Sequence, residues 1–236
     1  MAISLEKTTQ SVLDRLNKTA KKTLPPCDVA LAIDVSGSMS RMYSDGTITE
    51  TVQRLLAFAN VVDPDKKLDV IGFSTQTKQF DDLPVTEFDS VQKHIKAITS
   101  WSGAFGGTNY SQALTLACAS PQQSPSPSTG FMSRLFGAKP TPQPIVEQKN
   151  KIVFFITDGE CFDEKQSRDV LMSVKNTHTH VYFQFVWLGS DTPHPFLQSI
   201  ASDLPNAGVI AFRAIGQLSD DQIYDKILTE ELVGYF

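Results

Sequence analysis

The chain carries short, almost uninterrupted apolar runs, separated by segments in which apolar residues return every three or four positions. Runs at Asp28–Asp34 (DVALAID), 68–73 (LDVIGF), Lys151–Thr157 (KIVFFIT), Val181–Leu188 (VYFQFVWL) and 208–212 predict strands, several of them apolar enough to be buried on both faces. Helical spacing is clear at 48–61, where Ile48, Val52, Leu55, Leu56 and Ala59 share a face, and at 88–98, through Val91, Ile95 and Ile98. Further helices are predicted at 110–119, 165–177, 194–201 and 220–231, with a short edge strand at 77–80. Strands alternating with helices predict an α/β domain, a mostly parallel sheet with helices on both faces and right-handed connections.

Two segments depart from this alternation. Residues 8–23 predict a short helix whose stripe of Val12, Leu13, Leu16 and Leu24 is incomplete, and Pro25-Pro26 should end it. Residues 1–26 are accordingly expected to form an N-terminal arm packed on the domain, which occupies 27–236, or on a partner. Residues 121–148 are dense in Pro, Ser and Gln and are expected to form a surface insertion with at most a local turn or helix at 131–136.

Composition narrows the function classes. A length of 236 residues suits one sizeable domain, and 41% hydrophobic residues suit a folded one. The balance of 26 acidic against 21 basic residues is spread without long runs, so no nucleic-acid partner is expected. The odd set Cys27, Cys118 and Cys161 lacks CxxC spacing and fits a reducing compartment better than a disulfide framework. The start lacks a secretory pattern, and no run approaches the roughly 18 apolar residues of a membrane span, so a cytoplasmic location is the expectation.

The candidate chemistry lies at predicted strand ends. After the first strong strand comes Asp34-Val35-Ser36-Gly37-Ser38, one carboxylate and two hydroxyls at alternating positions, with Gly37 easing the bend. Thr108 follows Gly106-Gly107 at a loop-to-helix junction, and Asp158 follows the strand KIVFFIT. Open α/β sheets gather their sites outside the carboxyl ends of strands, so these residues can meet. Hard cations prefer such oxygens, and the two serines add donors without charge. Each fragment read singly is an ordinary cap or turn; their ordered recurrence after strands is less easily explained that way.

The set resembles the metal-ion-dependent adhesion site of von Willebrand factor type A domains: DxSxS falls on Asp34, Ser36 and Ser38, the separate threonine on Thr108 in GGTN, and the later aspartate on Asp158 in TDGE. The likeness spans about residues 27 to 231. Through CDVALAIDVSGSM, LDVIGFST, GGTNYSQAL and VFFITDGE it is most similar to bacterial A-domain proteins of tellurite-resistance and stress clusters (TerF- and TerY-like). The resemblance implies a Rossmann-like domain whose mostly parallel sheet has one antiparallel edge strand. It also implies a divalent cation, Mg²⁺ with Mn²⁺ or Ca²⁺ as alternatives, and a protein partner supplying Asp or Glu to that ion. The long insertion departs from a compact A-domain.

Other residues invite chemistry without completing it. No positioned base accompanies Ser36, and His94, His178, His180 and His194 form no catalytic motif. Gly103, Gly106 and Gly107 make no phosphate-binding fingerprint. Glu160 is a candidate to orient metal-bound water or simply to cap the following helix, Asn109 to fix the Thr108 loop or to serve a plain turn, Cys161 is the thiol to watch, and Trp101, Phe105 and Tyr110 could rim the Thr108 loop or instead cover the domain edge. The expected function is metal-dependent protein binding without catalysis. The alternatives are a Mg²⁺-dependent hydrolase or phosphate-transfer enzyme, for which activating groups are not evident, and a purely structural metal.

Overall fold

The computed structural model describes residues 3–19, 24–119 and 149–236. Five parallel strands form the body of the sheet: β1 (Asp28–Asp34), β2 (Lys67–Phe73), β5 (Lys151–Thr157), β6 (Val181–Leu188) and β7 (Ala207–Phe212). Two short strands, β3 (Thr77–Gln79) and β4 (Leu83–Pro84), run antiparallel to the outer side of β2, giving the order β3-β2-β1-β5-β6-β7 with β4 on β2. The antiparallel edge is therefore present, interrupted at 80–82. Strand alternation divides two cores. Leu31, Ile33, Phe154 and Ile156 face one side, and Ala30, Ala32, Val153 and Phe155 face the other.

The first face is covered by α1 (Leu5–Thr19), α3 (Thr47–Val62), α4 (Val91–Thr99), α8 (Asp220–Ile227) and α9 (Glu230–Tyr235), the second by α5 (Ser111–Cys118), α6 (Glu164–Thr177) and α7 (Pro195–Asp203). Helix α1 starts a turn earlier than its apolar stripe suggested. Val12 is buried against the first core, and the Thr8 hydroxyl donates to Asp220 Oδ2 at 2.7 Å. The opposite oxygen of Asp220 accepts from Arg54 Nε at 3.0 Å, so α1, α3 and α8 meet at one carboxylate. The expected surface insertion at 121–148, with its turn or helix at 131–136, lies outside the described residues.

Two element boundaries differ from expectation. The terminal helix is broken: Leu228 leaves helical geometry at the end of α8, and the Thr229 side chain accepts from Leu232 N, starting α9 in a new direction. The segment expected as one helix at 88–98 is a 3₁₀ stretch, Val85–Ser90, followed by α4. The short helix α2 (Ser40–Ser44), which follows a 3₁₀ turn at Gly37–Met39, lacked a long enough apolar repeat to be visible in sequence. Among the described residues no helix is long and apolar enough to cross a membrane.

Candidate metal centre

Strand adjacency builds the site. Strands β1 and β5 are parallel neighbours in a register pairing Ile33 with Ile156, which carries Thr157 beside Asp34 and turns Asp158 over the same strand ends. The Thr157 hydroxyl donates to Asp34 Oδ2 at 2.6 Å, while Ser36 N donates to Asp34 Oδ1 at 2.7 Å. Ser36 Oγ and Ser38 Oγ lie 3.1 Å apart, and Ser38 Oγ donates to Asp158 Oδ1 at 2.6 Å. These contacts join four of the five sequence candidates into one hydrogen-bonded chain, with Asp34 linked through the Ser36 backbone N–H.

Thr108 joins them through space around Gly159. A Cβ added at Gly159 would lie 2.9 Å from Thr108 Oγ1 and 3.4 Å from Asp34 Oδ2, so the glycine leaves a small cradle between an oxygen of the loop before α5 and one at the end of β1. Asp34, Ser36 and Thr108 are buried, whereas Ser38 is exposed and Asp158 half-buried, so the cluster opens towards solvent on the Ser38 side.

Its electrostatics are unbalanced. Burial pushes the Asp34 carboxyl up to about 6, against hydrogen bonds from Thr157 and Ser36 that favour the charged form; nearby Asp158 raises it further. Asp158 is also raised by burial, with the Ser38 hydrogen bond opposing. Two partly desolvated carboxylates with three neutral hydroxyls form a donor set suited to a hard divalent ion. Among the described residues no group of three or more His, Cys, Asp or Glu side chains is arranged to hold a metal. Any ion at this centre would depend on the hydroxyls.

Supporting contacts come from Tyr43 and Asp163, to which the sequence reading assigned no part, and from Tyr110, which it placed at the rim. Tyr43 donates its hydroxyl to Asp34 O at 2.7 Å, and the buried Tyr110 donates to Gly159 O at 2.6 Å. Asp163 accepts from the backbone N–H groups of Tyr110 (2.7 Å) and Ser111 (3.1 Å), capping α5 from another loop and fixing the segment that carries Thr108. Burial pushes Asp163 up, but hydrogen bonds from Ser111, Tyr110 and Cys161 outweigh it and hold the carboxyl below its ordinary value. An acid immediately before α6 was the available signal; the Tyr110 and Ser111 amides that it accepts from lie more than 50 positions away and gave none.

The remaining candidates fall into place. Asn109 N donates to Ser74 O at 2.8 Å, tying the Thr108 loop to the end of β2. Glu160 points outward, 3.9 Å from His194. Cys161 is buried, its thiol pushed up to about 12 by burial and donating to Asp163 Oδ1, which removes it as a reactive group. His178 and His180 have ring centres 5.9 Å apart. Of the three aromatics expected at the rim, Tyr110 is core and Trp101 packs edge-on against Phe80; Phe105 alone is exposed.

Comparisons with known proteins bear on the fold that carries this site. Residues 26–131 match the family described as vWA-TerF-like, the vWA found in the TerF C terminus. The uncharacterized protein YcbR of Bacillus subtilis (strain 168) is 24% identical over 209 residues, covering 86% of this chain and 74% of YcbR. Proximal thread matrix protein 1 from the mussel byssus, solved with a zinc-occupied MIDAS motif, superposes with a TM-score of 0.52 at 16% identity, over 86% of this chain but only 47% of the mussel protein. Manganese-loaded TRAP of Plasmodium vivax gives 0.52 at 14% identity, over 88% of this chain and 73% of TRAP. The chain has the fold of von Willebrand factor A domains, and its residues 26–131 match the family model described as vWA-TerF-like.

Proposed function

We propose that this chain is a metal-dependent protein-binding module. Asp34, Ser36, Ser38, Thr108 and Asp158 would hold a divalent cation, Mg²⁺ in preference to Mn²⁺ or Ca²⁺, whose free position takes an Asp or Glu side chain from another protein. The observation that carries this reading is the convergence of two carboxylates and three hydroxyls at the ends of β1 and β5 and the Thr108 loop. The opening at Ser38 and Asp158 supports access for an outside carboxylate. The TerF-like likeness supports a place in a bacterial stress-response, tellurite-resistance-like assembly, and a cytoplasmic location.

Two measurements test it. Thermal melts of the purified chain in Mg²⁺, Mn²⁺ or EDTA, wild type beside Asp34→Ala, report whether the site takes an ion. Affinity capture from bacterial cytosol under the same conditions reports whether the ion mediates binding. A partner retained by the wild type in Mg²⁺ and lost in EDTA and with D34A fits the reading; a partner held equally in all three sinks it.

A further inference from the structure

Two aromatic rings stand in solvent beside the candidate metal centre. Among the described residues the exposed large hydrophobic side chains are Leu13, Phe105, Phe162 and Met172, and two of these four sit on the loops of this one site. Phe162 is 71% exposed; its N–H donates to Thr108 O at 2.9 Å and its ring lies over Gly107, where an added Cβ would come within 2.8 Å of it. Phe105 is 48% exposed; its N–H donates to Val35 O at 2.6 Å, and the next carbonyl, Gly106 O, accepts from Gly37 N at 3.3 Å. Backbone contacts thus anchor both rings to the segments bearing Ser36, Ser38 and Thr108.

Phe105 also has a left-handed backbone, φ 61°. Gly or Asn adopts that conformation with less strain, so the turn itself gives no reason for a phenyl side chain. An outlier of this kind beside a binding site points to use of the side chain. Charge decides what the rings would meet. Glu160 stands exposed two residues before Phe162, so a second carboxylate flanking the first would be repelled there, whereas an apolar side chain is not.

We propose that Phe105 and Phe162 form an apolar rim that selects partner segments in which the metal-binding Asp or Glu is directly flanked by a bulky aliphatic or aromatic residue. This rests on the metal-dependent binding proposed above. The ion supplies a carboxylate requirement common to many acidic surfaces, and the rings narrow it to acidic residues set in apolar sequence.

Acetylated heptapeptides with a central Asp flanked on both sides by Leu or by Ser, with Asn-centred controls, are the probe. Their binding to the full chain is measured in Mg²⁺ and in EDTA. The Leu-flanked Asp peptide should bind about tenfold or more tightly than the Ser-flanked one, the factor expected from burying an aliphatic side chain. Phe162→Ala and Phe105→Asn, the latter chosen to keep the left-handed turn, should each remove most of that difference. Both should leave the Mg²⁺-induced thermal shift unchanged. Equal affinity for the two Asp peptides, or a difference that survives the double variant, overturns the rim while leaving the metal clasp standing. Failure of every Asp-centred peptide to bind in Mg²⁺ overturns both.

Discussion

Replacing Asp34 by Asn should stabilise the metal-free protein while abolishing its response to metal. The carboxylate is fully buried and its pKa is lifted from 3.8 to about 6, first by burial. At 1.36 kcal/mol per pKa unit, keeping it charged costs the metal-free fold about 3 kcal/mol above pH 7. Asn removes the charge but keeps the shape. Its Oδ1 still accepts from Ser36 N, and its Nδ2 can donate to Thr157 Oγ1 once that hydroxyl turns towards Gly159 O. Imperfect amide geometry reduces the gain to about 1–2 kcal/mol, or about 2–8 °C in Tm for a chain of this size.

The pH dependence follows from the sign. A folded-state pKa above the unfolded one gives a contribution that is complete below about pH 4 and lost as pH rises through about 6. In EDTA the wild type should therefore lose stability across that window relative to D34N and stay below it at pH 8. Mg²⁺ at about a hundredfold its Kd should add about 2.7 kcal/mol to the wild type and almost nothing to D34N, reversing their order. Urea or thermal melts at pH 5 and pH 8, with and without Mg²⁺, read all four arms. A D34N protein less stable than wild type in EDTA at pH 8, or one that keeps the Mg²⁺ shift, would refute the reasoning.

Three further outcomes test the scaffold. Gly159→Ala places a methyl 2.9 Å from Thr108 Oγ1 and 3.4 Å from Asp34 Oδ2, and should lower Mg²⁺ affinity at least about tenfold by calorimetry with about 1 kcal/mol lost from the fold. Asp163→Ala orphans the Tyr110 and Ser111 amides and should cost about 2–3 kcal/mol in urea unfolding, with weaker Mg²⁺ binding because the Thr108 segment loosens; unchanged stability would remove Asp163 as its anchor. Thr229→Ala removes the N-cap of α9 and should cost about 1 kcal/mol in a thermal melt while leaving the Mg²⁺ shift untouched.

Most of the fold was legible because its strands are nearly pure apolar runs. Asp28–Asp34, Lys151–Thr157 and Val181–Leu188 begin and end where their composition changes, since a strand covered on both faces tolerates few polar residues. Where a local polar contact competes with the apolar repeat, the reading failed. Thr229 looked like one more position in a terminal helix until its side chain was seen capping Leu232 N. The rim stayed open in sequence for a related reason: Tyr110 beside a glycine-rich loop could face solvent or the core, and its hydroxyl reaches Gly159 O through the core, while Phe162 was unremarkable in sequence and is the most exposed aromatic at the site.

The sequence by itself determined the alternation of strands and helices, the DVSGS loop after the first strong strand and the types of oxygen available, because periodicity and residue chemistry are local properties. Tertiary structure alone decided that β1 lies beside β5, so that Thr157 reaches Asp34 and Ser38 reaches Asp158 across more than a hundred residues. It also decided that Gly159 leaves the space between Thr108 and Asp34 and that burial raises both carboxylates. Those properties arise from strand order and desolvation, which exist only once distant segments pack.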